Sequence, residues 1–218
     1  MKRYLTSVLI PGSLLLILVS CGTLRQQGYS RLDEGTKYFI PVYDTGFDKS
    51  LYNVRIIFGE KVFSGLAVIK YMPVNRSYRL ALLSEAGLRL FEAEFTSAGD
   101  AKVNFITDFL DKKAVVKKLS SDFALLFSDI SKNGNKIFLK KDDTESYVVR
   151  VKKKGKKDYF YSPAMQGPEK IEERGFPFGR TTVLLSDYLN NAPQEIVFKH
   201  KMLKFEIGFT KINYKEWN

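Results

Sequence analysis

The side chains able to do chemistry are few, and their spacing limits what they can do. Cys21 is the only cysteine and His200 the only histidine among 218 residues. One histidine rules out a multi-histidine metal site, and one cysteine rules out a disulfide within the chain or a cysteine-built metal site. A Ser-His-Asp triad would have to use His200, and no Gly-x-Ser-x-Gly elbow supports it. Lys199 and Lys201 flank that histidine, which reads as a strand end in water. The glycine-rich stretches lack the spacings that cradle phosphate. A pair of carboxylates meeting in space is the arrangement left open, while Asp108, Asp111 and Asp122 read as helix-cap and surface groups. These residues point away from an enzyme and give no catalytic set.

Cys21 has a more specific setting. Lys2 and Arg3 precede an apolar stretch, Val8 to Val19, broken only by Pro11, Gly12 and Ser13, and small Ser20 follows it. That is the order of a secretory signal. The apolar run, about 12 residues, falls short of the roughly 20 that span a bilayer. Leu18-Val19-Ser20-Cys21 resembles the lipobox of bacterial lipoproteins. The resemblance implies cleavage before Cys21, diacylglycerol on its thiol and a further acyl chain, of the palmitate kind, on the new amino group. No other cofactor is implied. Each buried CH₂ contributes roughly 0.8 kcal/mol, so two or three chains hold where one is marginal. Gly22 stands where Asp would retain an enterobacterial lipoprotein at the inner membrane, and Thr23 to Gln27 carry no acid. Both features read as outer membrane, periplasmic face.

Without its first 20 residues, whose only charges are Lys2 and Arg3, the chain has 198 residues and a formal charge of +9 instead of +11. With 44% hydrophobic and 14% aromatic residues it belongs among globular chains of one ordinary domain. The charge reads either as plain solubility or as attraction to anionic lipid head groups. Nucleic acid is not an expected partner outside the cytoplasm. The division expected is a signal over 1–20, an acylated, irregular tether over 21–36 and one domain over 37–218.

Within that domain, short apolar, β-branched and aromatic runs predict strands over Tyr38–Tyr43, Leu51–Phe58, Lys61–Met72, Ser77–Leu83, Leu88–Thr96 and Lys102–Thr107. Further strands are expected over Lys136–Lys140, Ser146–Lys152, Lys157–Tyr161, Arg180–Asp187, Glu195–His200 and Leu203–Asn213. Short turn-rich gaps favour antiparallel hairpins, and Lys152-Lys153-Lys154-Gly155-Lys156-Lys157 reads as a basic hairpin tip. In the third strand Phe63, Gly65, Ala67 and Ile69 share one face and Val62, Leu66 and Val68 the other. A sheet apolar on both faces is covered twice or curls round something apolar. One helix is signalled by Val115, Val116, Leu119, Phe123, Leu126, Phe127 and Ile130, with Asp108 or Asp111 as cap and Gly134 at its end. Lys112, Lys113, Lys117 and Lys118 near its start oppose the helix dipole; they read as a solvated face or as a face for a partner.

This order of elements resembles the LolA/LolB-like group of periplasmic lipoprotein carriers and receptors. The likeness rests on the lipobox, on Phe63-Ser64-Gly65-Leu66-Ala67-Val68-Ile69-Lys70, Tyr78-Arg79-Leu80-Ala81-Leu82 and Gly87-Leu88-Arg89-Leu90-Phe91, then a helix and a late strand near Pro193–Ile196. It covers most of residues 37–213, with residues 152–174 fitting no part of its pattern. It implies a mainly β (α+β) fold, a curved, unclosed antiparallel half-barrel with one main amphipathic helix covering the concave side. It further implies a cavity for acyl chains, in which Phe63, Leu66, Val68, Leu80, Leu82, Leu90, Phe91, Phe95, Phe105, Phe123 and Phe127 line core or cavity. Leu88 is the candidate for a membrane-inserting loop. The partners implied are the membrane itself, acyl chains of lipoproteins and a periplasmic carrier. The other reading is a non-catalytic envelope interaction lipoprotein with a packed interior and no cavity.

Overall fold

The computed structural model describes residues 24–32, 39–43, 46–128, 135–143, 145–152, 155–175, 179–201 and 204–213. The signal, Cys21, Tyr38, Ile130, Gly134, Lys153, Lys154 and Leu203 lie outside them. Thirteen strands form one sheet: β1 (Tyr29–Leu32), β2 (Lys49–Phe58), β3 (Lys61–Met72), β4 (Ser77–Ser84), β5 (Arg89–Thr96), β6 (Ala101–Ile106), β7 (Lys136–Lys140), β8 (Tyr147–Val151), β9 (Lys156–Tyr161), β10 (Lys170–Gly175), β11 (Gly179–Ser186), β12 (Glu195–His200) and β13 (Phe205–Lys211). The order is β1-β7-β8-β9-β10-β11-β12-β13-β2-β3-β4-β5-β6. Every pairing is antiparallel, and β1 and β6 are left as free edges, so the sheet is unclosed.

The concave face carries the core. Alternation places Tyr52 and Val54 of β2, Ala67 and Ile69 of β3, Leu80 and Leu82 of β4, and Phe91, Ala93 and Phe95 of β5 on it, all buried. Helix α1 (Lys113–Phe127) lies against them. Its Phe123 ring touches Phe91 and Phe95 on one wing and Phe198 and Phe209 on the other, at centroid distances of 5.7–6.5 Å. One aromatic side chain thus ties β5 to β12 and β13 across the curl. Burying such a side chain contributes roughly 1.5–3 kcal/mol.

Four local expectations are corrected. Lys112 is the N-cap residue of α1 and makes no side-chain cap bond, so neither Asp108 nor Asp111 caps it; the helix ends at Phe127, where the Ser128 hydroxyl donates to the Ala124 carbonyl at 2.5 Å. The apolar run expected as a strand over Tyr38–Tyr43 is a strap over its described part, 39–43, not a strand. Phe39, Ile40, Val42 and Tyr43 pack over the concave face, and its carbonyls at Ile40 and Tyr43 accept from Tyr161 and Tyr78 instead of a ladder. The tether expected over 21–36 joins the fold early. Tyr29–Leu32 pairs with β7, and Leu24 is buried on the outer face against Val148 and Phe160. Residues 152–174 contain β9 and most of β10, which bridges β9 and β11.

Candidate functional site

Antiparallel connections alternate between two rims of the sheet. The β12–β13, β2–β3 and β4–β5 turns and the β6–α1 loop share one rim and are joined in series. Gly59 N–H donates to the Lys204 carbonyl at 2.8 Å, the Ser64 hydroxyl donates to Glu85, and Thr107 N–H donates to the Leu90 carbonyl at 2.9 Å. Along this row stand Val62 (53% exposed), Phe63 (50%), Leu88 (69%) and Phe109 (60%). Single exposed apolar residues need no explanation. Val62 and Phe63, consecutive in β3 and on opposite faces of it, and Leu88 and Phe109 in the two loops beyond make a row along one rim, and a row of exposed apolar side chains is the kind of feature that marks an interaction surface. Lys61, Arg89, Lys112 and Lys113 are exposed beside them, and the β8–β9 connection, where the basic hairpin tip was expected, opens at the same rim. Leu88, the residue expected to project from this turn, is exposed there; Phe109 was not foreseen.

The residues read as one lining set divide three ways. Leu80, Leu82, Phe91, Phe95, Phe123 and Phe127 are buried on the concave face, packed against one another, and Leu90 is half-buried against them. Phe63 shares that face but stands half-exposed at the rim. The reading of Leu66, Val68 and Phe105 as part of the same lining is corrected: they are half-buried on the outer face. Leu66 pairs with outward Asn53 and Leu83, Val68 with Leu51 and Ala81, and Phe105 lies 4.3 Å below the Arg89 guanidinium. Among the described residues are two open hollows. One, about 270 Å³, lies by the strap between Ile40, Tyr147, Tyr161 and Met165. The other, about 600 Å³, crosses the outer face of β13, β2 and β3. Neither is lined by α1.

His200 is not in water. Its ring is fully buried, with Nε2 2.8 Å from Asp122 Oδ2 and Nδ1 2.9 Å from the Phe205 carbonyl. Asp122, expected at the surface, is fully buried, and its other oxygen accepts from Lys118, which also donates to Thr181 Oγ1 at 2.8 Å. Lys118 is therefore not part of a solvated face. Alternation along β12 carries the signal the flanking lysines hid: Ile196, Phe198 and His200 share one face. Neither ring nitrogen is left for a substrate, so His200 cannot serve as the base of a triad. Glu173 faces the same cluster, and burial raises its carboxyl above the usual range against the opposing pull of Lys157 and Lys118. The cluster fastens α1 to β11 and β12. Among the described residues no group of three or more His, Cys, Asp or Glu side chains could hold a metal ion.

No family model matches the chain, and no curated protein matches it. Among solved structures it is similar to a domain described as an outer membrane lipoprotein-sorting protein domain, from Vibrio parahaemolyticus. The TM-score is 0.41 at 12% identity, over 78% of this chain and 86% of that one. It is also similar to a DUF1329 family protein from Desulfovibrio piger, at a TM-score of 0.46 and 8% identity, over 78% and 85%. A lipoprotein-sorting domain stands among these structural neighbours. These are likenesses of fold, and no conclusion about what this chain binds rests on them.

Proposed function

We propose that this protein is a non-catalytic lipoprotein of the outer membrane, anchored through acyl chains on Cys21 at the periplasmic face, whose loop rim receives acyl chains of lipids or lipoproteins from a periplasmic carrier. The observation that carries the reading is the apolar row Val62, Phe63, Leu88 and Phe109 beside Lys61, Arg89, Lys112 and Lys113. Apolar tips ringed by basic side chains suit an interface of acyl chains under anionic head groups. Because α1 fills the concave face, a chain entering there has to displace it, and the buried Lys118–Asp122–His200 cluster resists that displacement.

The anchor supports a particular pose. Cys21 lies three residues before Leu24, a reach of at most about 11 Å. Leu24 is seated on the outer face near the rim opposite the apolar row, since Tyr29 pairs with Lys140 at the β7–β8 end. For anchor and row to meet one bilayer, the domain lies along the surface.

A second reading, an envelope interaction lipoprotein without a ligand cavity, is favoured by the packing of α1 on the sheet. An exported form with Cys21→Ser behind a cleavable signal separates the two. All described structure begins at Leu24, so the fold is retained. We expect the protein to leave the membrane fraction and to carry stoichiometric acyl lipid, detected by mass spectrometry after solvent extraction. A blank after labelled fatty acid has been offered overturns the acyl reading in favour of the second, and recovery in the membrane pellet overturns acylation as the anchor.

A further inference from the structure

The groove of about 600 Å³ across the outer faces of β13, β2 and β3 has a floor made by a missing side chain. Gly208 sits in β13 between Val197 of β12 and Arg55 of β2, facing outward. Glycine inside a strand weakens it and marks either a backbone requirement or a close approach by another molecule. No backbone requirement exists at this position. A Cβ on Gly208 would meet only the Arg55 carbonyl oxygen at 3.9 Å, an ordinary contact, and Gly208 is not among the glycines with positive φ. Gly65, at the edge of the same groove, is the contrast: a Cβ there would lie 2.1 Å from the Leu83 carbonyl oxygen, so the sheet itself demands that glycine.

The charges around the floor are specific. Arg55 is exposed and makes no ion pair with another described residue. Glu206 pairs across with Ile57, two positions nearer the rim along β2 than Arg55 on the same face, and Glu85, held by the Ser64 hydroxyl, stands beside β3 in the register row of Arg55 and Gly208. One guanidinium and two carboxylates match a ligand that carries one phosphate and one ammonium. Arg55 offers a planar donor fork for the phosphate, and the carboxylates accept from the ammonium. A head group with negative charge alone would leave both carboxylates unanswered and be repelled by them. The rim end is apolar through Ile57 and Val62, and Val62 belongs to the exposed row at the sheet rim.

We propose that this groove binds the phosphoethanolamine head group of a membrane lipid, with phosphate on Arg55 over Gly208 and ammonium between Glu206 and Glu85. The proposal rests on the reading that the rim meets a bilayer, and it names the lipid class that the groove selects there. The test uses the full acylated chain in detergent and two soluble probes, glycerophosphoethanolamine and glycerophosphoglycerol, with dissociation constants from titration calorimetry. Wild type is expected to bind the ethanolamine probe at least about tenfold more tightly than the glycerol probe. Gly208→Val, which fills the floor with a strand-compatible side chain, and Arg55→Gln, at an exposed position, are each expected to lose about tenfold or more for the ethanolamine probe with unchanged melting temperatures. Glu206→Gln is expected to erase the preference between the probes. Equal binding of the two probes by wild type, or undiminished ethanolamine binding in both floor variants, overturns the proposal. Lipid cross-linking from position 88 that persists in that case shows that the groove assignment alone has failed; loss of that cross-linking as well shows that the rim reading has failed with it.

Discussion

Asp122 takes Lys118 on one oxygen and faces His200 with the other, all three sealed under α1. Removing it leaves a buried ammonium and a ring nitrogen without their acceptor, and breaking a buried charge pair from one side costs about 3–5 kcal/mol. Asp122→Ala is therefore expected to lower the melting temperature sharply; a melting curve matching wild type would show that the cluster does not hold α1. The same residues show what the sequence made legible. The identity and rarity of His200 were plain, but its flanking lysines pointed to solvent, while its place on the inward face of β12 followed from a two-residue period shared with Ile196 and Phe198. Asp122 offered no such signal, because its burial depends on which strands lie opposite α1, and that is set by partners more than 50 residues away in sequence.

Strands with alternating apolar residues were legible nearly to their ends: the bounds expected for β3, β7 and β12 are those observed. Elements whose reason for existing lies in their neighbours were not. The sequence of β10 reads Lys-Ile-Glu-Glu-Arg-Gly, with Ile171 its one apolar residue, and it forms because β9 and β11 pair with it on both sides. β1 is four residues of edge strand. The strap over 39–43 has strand-like composition because it is buried as a plug. Period alone did not separate the two apolar faces, since Leu66, Val68 and Phe105 lie on the outer one, but the concave face carries a firm expectation. Leu80, Leu82, Phe91 and Phe95 are 0–3% exposed. Leu82→Asp or Phe95→Asp puts an unpaired charge into that face at a cost of several kcal/mol, and each is expected to prevent cooperative folding. A normal melting curve for either would mean the concave face opens to water.

The concave interior as a whole is rich in tyrosine, and this gives the molecule an alkaline limit. Burial pushes Tyr52 up to about 12 and raises Tyr43, Tyr159, Tyr161 and Tyr188 above the ordinary phenol value of 10.0. A phenol raised in the folded state contributes stability that is complete below pH 10, its unfolded value, and that is lost as pH rises through the folded one. Absorbance at 295 nm is expected to show exposed tyrosines titrating first and the buried set ionising together with loss of circular dichroism above about pH 10. Smooth titration of every tyrosine near pH 10 with the fold intact would contradict the packed interior.

At the same scale, the proposed function places lipid contact at the anchor and at the rim; among the described residues no helix is long and apolar enough to cross a membrane. The direct test places a photoactivatable phenylalanine analogue at Phe63, Leu88 or Phe109 of the full-length protein in cells, with Val74, 96% exposed on the opposite rim, as the control. The account predicts lipid adducts on the intact protein from the first three positions and none from the fourth. Absence of lipid adducts at all three, or an equal yield from position 74, would contradict it.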